Sequence, residues 1–350
     1  MNKLLPITLI LFTAVIFSSC DVVDSVTGND KESTVELYPV LVNGDWGYIN
    51  KKGQLVIEPD FQVARPFHDG IAAVRASWRW TYIDKNGEPI VESYFEDIRS
   101  FSDGMAAVRL DGRWGYIGRD GNLRINPRFR SAYPFSDGRA FVRSLDYSRW
   151  YYINNDGQGI ESVDLPFDVD FNEENTFSNG LALVRNDDLF GYFDANGNKI
   201  IDFRYPEARP FSENIAAVRV SDRWGFIDKR GNVAITPQFI SVGDFSDGLA
   251  PARRNSNNFG FIDKRGNFVI EEQFEEVYGF SEDRAAVRQG SNWFFIDKNG
   301  NRISDSNFDA VESFDKGLAR VTDFTLIEDE LIERYGYINK NGKYVWFPTN

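Results

Sequence analysis

The sequence predicts an all-β protein made of tandem repeats, on the basis of three observations. The chain of 350 residues contains 30 Phe, 15 Tyr and 8 Trp, and aromatic residues favour strands over helices. An aromatic residue, most often Trp, recurs with an underlying spacing of 34 residues, and glycine follows it seven positions later. Short apolar stretches alternate with polar turns between these landmarks, which is typical of antiparallel strands. Together these patterns indicate a repeat array of β-sheets.

The leading aromatic residue of each repeat defines nine units between residues 36 and 350. The first copy reads Trp-Gly-Tyr-Ile-Asn-Lys-Lys-Gly from Trp46 to Gly53. The nine leading aromatic residues are Trp46, Trp80, Trp114, Trp150, Phe190, Trp224, Phe259, Trp293 and Tyr335. Because the rest of the repeat persists where Trp is replaced, we interpret this position as one of packing and not of chemistry.

A second landmark, Phe-Ser-Asp-Gly or a variant of it, precedes the first strand of eight units. Phe101 to Gly104 is one example, and the apolar stretch Met-Ala-Ala-Val follows it directly. A polar turn leads to the strand that carries the leading aromatic residue. The glycine seven positions after that aromatic residue closes a second turn, where positive φ is needed. A third strand ends near Pro127, which cannot donate to a ladder. Each unit is therefore predicted to be a three-stranded meander.

The ends of the array bear on whether it is open or closed. A single unit cannot bury both of its faces, so its aromatic residues must pack on neighbouring units. The first unit begins with a strand at Leu37 to Val42, and the last ends with a strand near Tyr344 to Phe347. Since whole units leave no spare strand to close a propeller-like ring, we expect an open, twisted array, with a closed toroid as the alternative.

This pattern resembles the WG-repeat family of bacteria, named for its Trp-Gly pair, over residues 36–350. The pair stands at Trp46-Gly47, whereas Trp80-Thr81, Trp150-Tyr151 and Trp293-Phe294 lack the glycine. The resemblance implies a repeated β scaffold with no recognisable catalytic site.

The N-terminus has the parts of a secretory signal peptide in residues 1–19. Lys3 supplies a positive charge, an apolar run extends from Leu4 to Phe17, and small residues precede Cys20. The segment resembles a bacterial lipoprotein signal peptide, which implies lipidation of Cys20, with palmitate for example, and cleavage before it. An ordinary signal peptide is the alternative. Residues 20–35 are polar and acidic, as expected of a flexible tether.

The predicted anchor places the domain of residues 36–350 outside the cytoplasm, attached to a bacterial membrane. We expect the outer membrane or the cell surface, in preference to the inner membrane. Asp21 would instead favour retention in the inner membrane under the sorting rule of some enteric bacteria, so both membranes are kept as alternatives.

Charge and residue counts exclude several classes of function. The net charge is −14, and removal of residues 1–19, whose one charge is Lys3, leaves −15. Such a balance argues against a nucleic-acid partner. One cysteine and one histidine, His68, cannot build a disulfide, a histidine-based triad or a multi-histidine metal site. We expect no cofactor and no metal, and we interpret His68 as a surface substitution for serine.

Carboxylates are the remaining candidates for chemistry. The recurrent aspartates lie at strand ends, where Asp bonds its local backbone; they include Asp84, Asp194, Asp228, Asp263 and Asp297. Residues 166–175 form an acidic insertion that suits either a calcium ligand set or, by preference, a solvated loop. Residues 323–334 form a second acidic insertion, predicted to be a loop or a short helical turn.

Arginine follows the first strand in seven units. These residues, predicted to form a stripe, are Arg75, Arg109, Arg143, Arg185, Arg219, Arg253 and Arg288. Guanidinium groups bind carboxylates bidentately, so the stripe is a candidate binding surface for an anionic glycan or an acidic partner. The alternative is an ion pair with the acid of the preceding turn, at Asp69, Asp103, Asp137, Glu213, Asp247, Glu282 or Asp315.

The function that these patterns favour is a membrane-tethered, non-catalytic binding module of the bacterial cell envelope. Its partner would be an envelope protein or a polysaccharide, recognised along an extended repeat surface. A structural spacer of the envelope is the first alternative, and a hydrolase of surface glycans is the second.

Overall fold

The computed structural model describes residues 36–91, 94–147, 150–159, 177–186, 188–327 and 330–349. The predicted signal peptide, Cys20, the tether of residues 20–35 and the acidic insertion of residues 166–175 lie outside the described residues. Within the described part, the chain forms nine antiparallel sheets and no helix. The predicted all-β array of nine tandem meander units is confirmed.

The sheets follow one another in chain order. Sheet 1 contains β1 (Leu37–Val42), β2 (Asp45–Asn50) and β3 (Leu55–Phe61). Sheet 2 contains β4 (Val63–Ala64), β5 (Ala72–Ala76) and β6 (Arg79–Ile83). Sheet 3 contains β7 (Asp97–Ile98), β8 (Met105–Leu110), β9 (Arg113–Gly118) and β10 (Leu123–Phe129). Sheet 4 contains β11 (Ser131–Ala132), β12 (Ala140–Arg143) and β13 (Trp150–Ile153).

The second half of the array continues this order. Sheet 5 contains β14 (Phe177–Ser178), β15 (Leu181–Asn186), β16 (Leu189–Asp194) and β17 (Lys199–Tyr205). Sheet 6 contains β18 (Ile215–Val220), β19 (Arg223–Asp228) and β20 (Val233–Phe239). Sheet 7 contains β21 (Ser241–Val242), β22 (Ala250–Arg253), β23 (Phe259–Ile262) and β24 (Phe268–Phe274). Sheet 8 contains β25 (Glu276–Val277), β26 (Ala285–Gln289) and β27 (Asn292–Ile296). Sheet 9 contains β28 (Ala310–Val311), β29 (Leu318–Ile327), β30 (Glu330–Asn339) and β31 (Tyr344–Thr349).

The glycine after the leading aromatic residue lets the third strand approach. A Cβ atom at Gly47 would lie 2.5 Å from the carbonyl oxygen of Ile57 in β3, and Gly115 stands in the same relation to Ile125 in β10. The third strand bulges at this point, since its register against the middle strand shifts there. The sequence-based expectation that this glycine permits close backbone packing is therefore correct.

Three sheets lack this glycine, and in two of them, sheets 2 and 8, the described residues form no regular third strand. Thr81, Tyr151 and Phe294 occupy the position in sheets 2, 4 and 8. In sheets 2 and 8 the third segment is as long as in sheet 1, yet it pairs with the middle strand only through isolated bridges. The side chain at this position occupies the space that the bulged backbone needs, so the segment stays apart.

The Phe landmark forms the core between successive sheets. The Phe67 ring meets the Tyr48 ring of the preceding sheet edge-on, with centroids 4.9 Å apart. All eight Phe landmarks make this contact at 4.8 to 5.1 Å. The buried hydroxyl of Tyr48 also donates a hydrogen bond of 2.8 Å to the carbonyl of Arg65. Edge-to-face contact and a satisfied hydroxyl let a large ring fill this interface without a buried unpaired polar group.

Among the described residues, nine clusters of buried side chains hold the sheets together, and each is shared by two neighbouring sheets. The ninth cluster joins sheet 9 to sheet 1, because it combines Tyr38 and Val40 with Leu318 and Tyr337. The first and last sheets are therefore in contact. Whole units were expected to leave free ends, and the observed contact corresponds to the closed alternative.

The first unit supplies the closing contact without a shared strand. It has no Phe landmark within the described residues, and Tyr38 stands where the other eight units carry alanine. The Tyr38 ring lies 5.7 Å from the ring of Tyr337, which otherwise would face a Phe landmark. Lys316 completes the junction, since its Nζ atom donates a hydrogen bond of 2.7 Å to the carbonyl of Phe67.

The second insertion departs from its predicted form. Residues 323–334 extend β29 and β30 into one long hairpin, whose register runs from Leu318 opposite Asn339 to Ile327 opposite Glu330. The prediction of a loop or a short helical turn was wrong. Phe324 and Leu326 alternate with threonine and aspartate, a period that suits strands and not helices.

Candidate binding surface

The predicted arginine stripe lies directly beside the leading aromatic residues. Arg75 is opposite Trp80 in the strand register, and Arg109 is opposite Trp114. The same pairing holds at Arg143 with Trp150, Arg185 with Phe190, Arg219 with Trp224, and Arg288 with Trp293. In sheet 7 the Arg253 guanidinium lies 5.1 Å from the Phe259 ring centre. We call these seven arginines and their aromatic neighbours the Arg–aromatic rim.

Rim arginines form ion pairs with acids that sequence reasoning did not select. Arg109 lies 3.5 Å from a Glu96 carboxylate oxygen. Arg219 pairs with Glu207, and Arg288 pairs with Glu276 and, at 3.3 Å, with Glu275. These acids come from the segment before the landmark loop. They pair there because that segment lies beside the first strand, a neighbour relation that the repeat pattern did not reveal.

The acids of the landmark loops, proposed as the alternative partners, pair elsewhere. Asp69 forms an ion pair of 2.9 Å with Arg119. Glu213 lies 2.9 Å from Lys264, and Glu282 lies 3.0 Å from Lys340. No ion pair between a landmark acid and a rim arginine occurs among the described residues. That alternative therefore named the wrong partners.

The landmark loops are linked to one another in sequence order. The Ser102 hydroxyl donates a hydrogen bond of 2.6 Å to the carbonyl of Phe135 in the next loop, and four further loops repeat this bond. The backbone N–H of Gly104 donates to the Asp69 carboxylate at 3.2 Å. The side chain of Arg119, with this N–H group, holds the pKa of Asp69 below its usual range. These polar groups serve the scaffold.

Sheet 9 keeps a cation beside its leading aromatic residue by a different route. Thr322 replaces the rim arginine and stands opposite Tyr335. The guanidinium of Arg320, two residues earlier, lies 5.1 Å from the Tyr335 ring centre and pairs with Glu312. Residues two apart in a strand lie on the same face of the sheet. The sequence alone could therefore have suggested that Arg320 takes the place of an arginine at position 322.

A second set of arginines contacts the same aromatic residues and was missed by sequence reasoning. Each lies two positions before a Phe landmark. The guanidinium of Arg65 lies 4.7 Å from the Trp80 ring centre, that of Arg99 lies 5.5 Å from Trp114, and that of Arg209 lies 5.8 Å from Trp224. The signal was present, because Arg recurs at this position, but its target could be identified only in three dimensions.

An exposed aromatic patch stands out at the hairpin turn of sheet 2. Trp78 is 84% exposed and has φ of 70°, in a position where other turns carry glycine, such as Gly112. The Arg75 guanidinium lies 5.8 Å from its ring centre. Nearby, the Arg79 guanidinium lies 5.9 Å from the ring of Tyr94, which is 52% exposed. We call Trp78, Arg75, Arg79 and Tyr94 the Trp78 patch.

The recurrent aspartates bond their local backbone, as predicted. Asp84 accepts hydrogen bonds from the N–H groups of Asn86 and Glu88 at 2.8 and 2.9 Å. Asp228 accepts from Arg230 and Asn232 in the same way. Hydrogen bonds from the Asn232 side chain and backbone hold the pKa of Asp228 below its usual range, which suits a turn and not a general acid.

The described residues contain no group of three or more His, Cys, Asp or Glu side chains that could hold a metal ion. They also contain no helix that is long and apolar enough to cross a membrane.

Comparison with known families assigns the repeats. The family described as WG containing repeat matches residues 46–76, 80–114, 114–146, 190–224, 224–257, 259–293 and 293–322, more than half of the chain. The chain belongs to the WG-repeat family. No curated protein matches this WG-repeat protein.

Solved structures resemble the WG-repeat protein in fold. A eukaryotic initiation factor is 10% identical, with a TM-score of 0.54 over 90% of this chain and 100% of that chain. A dihydro-heme d1 dehydrogenase, NirN, is 12% identical, with a TM-score of 0.47 over 92% of this chain and 75% of that chain. At this identity the likeness to the initiation factor concerns the fold alone.

Proposed function

We propose that this WG-repeat protein is a non-catalytic binding module of the bacterial cell envelope, tethered to a membrane through a lipid on Cys20. An envelope protein or a polysaccharide would be its partner. The signal-like sequence of residues 1–19 supports the tether, and the aromatic and cationic surface of the β array supports binding.

The main observation that supports a binding role is the backbone conformation of Trp78, which has φ of 70°. A bulky residue at positive φ is rare and costs free energy. This side chain also exposes 84% of its surface, so burial within the chain does not offset that cost. Aromatic rings are common anchors in interfaces, and a partner that covers the ring would explain why Trp occupies a glycine position.

The charges of the Trp78 patch favour a partner with anionic groups. Arg75 and Arg79 present guanidinium groups beside the two exposed rings, on a chain whose net charge is −14. Guanidinium groups bind carboxylates and phosphates through charge-assisted hydrogen bonds. An acidic envelope polysaccharide or an acidic protein segment therefore matches the patch better than a cationic partner.

The structural spacer remains the second candidate, because acids already neutralise part of the rim. Arg109 pairs with Glu96 while both side chains stay at least one-third exposed, and such pairs contribute about 1 kcal/mol or less. Reversal of charge at Arg109 and Arg143 together separates the two roles. A binding role predicts weaker association at nearly unchanged thermal stability, whereas a purely structural role predicts a lower melting temperature at unchanged association.

The tether is tested by Cys20→Ser in the native host. We expect the variant to leave the membrane fraction while its circular dichroism spectrum and melting temperature stay the same. A variant that remains in the membrane fraction after a high-salt wash would refute the lipid anchor.

The binding role is tested by co-sedimentation of the Cys20→Ser protein with isolated cell walls and with outer-membrane vesicles. Trp78→Gly should reduce the sedimented fraction because it removes the exposed ring. Phe347→Ser is the matched control, since Phe347 is 71% exposed and lies in β31, outside the Trp78 patch. Equal sedimentation of both variants and the parent would contradict the proposed surface.

A further inference from the structure

A cavity of about 560 Å³ lies among the loops of sheets 6 to 9. This volume falls within the range of about 300 to 1,000 Å³ that is typical of small-ligand sites. Its walls come from the segments that precede and include the landmark loops, with Arg209 and Ser313 at the two extremes of the sequence and residues 241–246 and 277–281 between them.

The cavity exists because sheet 7 lacks an arginine–tryptophan pair that other sheets have. In sheets 2, 3 and 6 an arginine two positions before the Phe landmark covers the leading Trp, as Arg65 covers Trp80. In sheet 7 the corresponding residues are Gly243 and Phe259, and both line the cavity. A missing side chain and a smaller ring leave the space that the pair fills elsewhere.

The polar side chains that line the cavity can donate and accept hydrogen bonds, which suits a ligand rich in hydroxyl groups. Arg209 and Asp244 are its two charged residues, and they lie 3.9 Å apart. Their charges balance, so the cavity offers a donor and an acceptor side by side without net charge. Such a pair matches the adjacent hydroxyls of a sugar, each of which both donates and accepts.

Serine hydroxyls add to this lining. The cavity is lined by Ser241, Ser246, Ser281 and Ser313. Ser281 donates to the carbonyl of Phe314 at 2.6 Å, as its counterparts do in other loops. Ser246 makes no such bond to the next loop among the described residues, so its hydroxyl is available to a ligand. The landmark loop at Ser246 therefore lacks the serine-to-carbonyl hydrogen bond that five other landmark loops form.

Apolar surfaces complete the site. Phe259, Tyr278 and Pro251 also line the cavity, and the Tyr278 ring is held in place by stacking on Trp293 at 4.9 Å. A pyranose ring has polar edges and an apolar face, so it suits a pocket with an aromatic wall and a polar wall. A flat anion would find no net positive charge here.

We propose that this cavity binds a neutral saccharide, one unit of which enters between Phe259, Asp244 and Arg209. The site is separate from the Trp78 patch and does not depend on the lipid tether. A neutral chain held here and anionic groups held at sheet 2 would be two independent contacts of the protein with its surroundings.

The test is isothermal titration calorimetry of the full chain in mild detergent. The probes are neutral trisaccharides of glucose, galactose, mannose and N-acetylglucosamine, with tri-galacturonic acid as the anionic counterpart. We expect at least one neutral trisaccharide to bind and the anionic one to bind more weakly. Absence of binding by every neutral probe, or preference for the anionic one, would overturn the proposal.

Two variants fill the cavity with residues that the repeat itself uses. Phe259→Trp restores the common leading residue, and Gly243→Arg restores the covering arginine, although its Cβ would lie 3.0 Å from Pro251. Each should weaken saccharide binding by about tenfold or more, equivalent to roughly 1.4 kcal/mol. Phe190→Trp is the matched control, because it makes the same change in sheet 5, away from the cavity.

A third variant tests the unused hydroxyl. Ser246→Ala should weaken saccharide binding without loss of stability, whereas Ser212→Ala should lower stability without an effect on binding, because Ser212 donates to Phe245. Trp78→Gly should leave saccharide binding unchanged. Saccharide binding that resists both Phe259→Trp and Ser246→Ala would place the ligand elsewhere and refute the site.

Discussion

The hydroxyl of Tyr337 donates a hydrogen bond of 2.9 Å to the carbonyl of Pro39, and 298 residues of chain separate the two. Tyr337 belongs to β30 in sheet 9 and Pro39 to β1 in sheet 1. The equivalent tyrosines of other sheets, such as Tyr116, bond a carbonyl 17 residues ahead. In sheet 9 the first sheet supplies the acceptor instead.

Tyr337→Phe is predicted to lower the free energy of unfolding by about 1 to 3 kcal/mol, because a buried hydrogen bond is lost. The measurement is urea unfolding followed by tryptophan fluorescence. Tyr116→Phe is the matched control, since it removes the same bond between adjacent sheets. If Tyr116→Phe lowers the free energy of unfolding while Tyr337→Phe leaves it unchanged, then sheets 1 and 9 do not pack together in solution.

Gly115→Thr is predicted to detach β10 from β9. A Cβ at Gly115 would lie 2.5 Å from the carbonyl oxygen of Ile125, so the third strand must move as it has in sheet 2. Hydrogen exchange in β10 should rise strongly while exchange in β8 stays slow. Gly118→Thr is the control, because the atoms nearest to its Cβ would belong to the movable side chains of Arg124 and Asp120. Equal effects of the two variants would contradict the prediction.

Trp78→Gly is predicted to stabilise the fold by about 1 kcal/mol, because glycine adopts positive φ without steric strain. Thermal unfolding by circular dichroism provides the measurement. Ser77→Gly is the control, since Ser77 also has positive φ, of 48°, and its replacement keeps the exposed ring. Stabilisation by Trp78→Gly together with weaker co-sedimentation would indicate that Trp is held in the turn for binding. A destabilised Trp78→Gly protein would refute the strain.

Asp69 is predicted to contribute to stability in a pH-dependent way. Its folded-state pKa lies below the ordinary value, chiefly through Arg119. A depressed pKa gives stability that is present above the unfolded-state pKa and is lost as the pH falls through the folded-state pKa. The difference in unfolding free energy between the parent and Asp69→Asn should therefore shrink on acidification from neutral pH.

Arg119→Met provides the control for this pH dependence, because it removes the principal cause of the shift. In the Arg119→Met background, Asp69→Asn should change stability by nearly the same amount at neutral and acidic pH. An Asp69→Asn difference that stays constant with pH in the parent background would disprove the linkage.

The predictions from sequence were most accurate for residues whose role depends on their nearest neighbours along the chain. The nine turn glycines have φ between 73° and 86°, and Asp84 and Asp228 bond the turns that follow them. Both effects act within a few residues, so the local sequence is sufficient to predict them. Tyr38, which replaces an alanine found in eight units, was a readable signal of closure, but its ring partner lies at the other end of the chain.

The arginine stripe illustrates the limit of the repeat pattern. A 34-residue spacing correctly places Arg75 and Arg109 at equivalent positions, yet it does not tell which acid or ring each one contacts. Glu96 and Trp114 both lie within reach of Arg109 only because a separate segment runs beside β8. The cavity at Gly243 was invisible for the same reason, since its meaning depends on the Arg65–Trp80 contact of another sheet.

By itself, the sequence determined the first two strands and the turns of each unit and the number of units, because hydrophobic alternation and glycine conformations are local properties that each repeat encodes again. The tertiary structure alone decided that sheet 9 packs on sheet 1, which acids the rim arginines meet, and that a cavity forms among the loops of sheets 6 to 9. These features depend on side chains from different units that meet in space, and a period along the chain does not specify the distance between them.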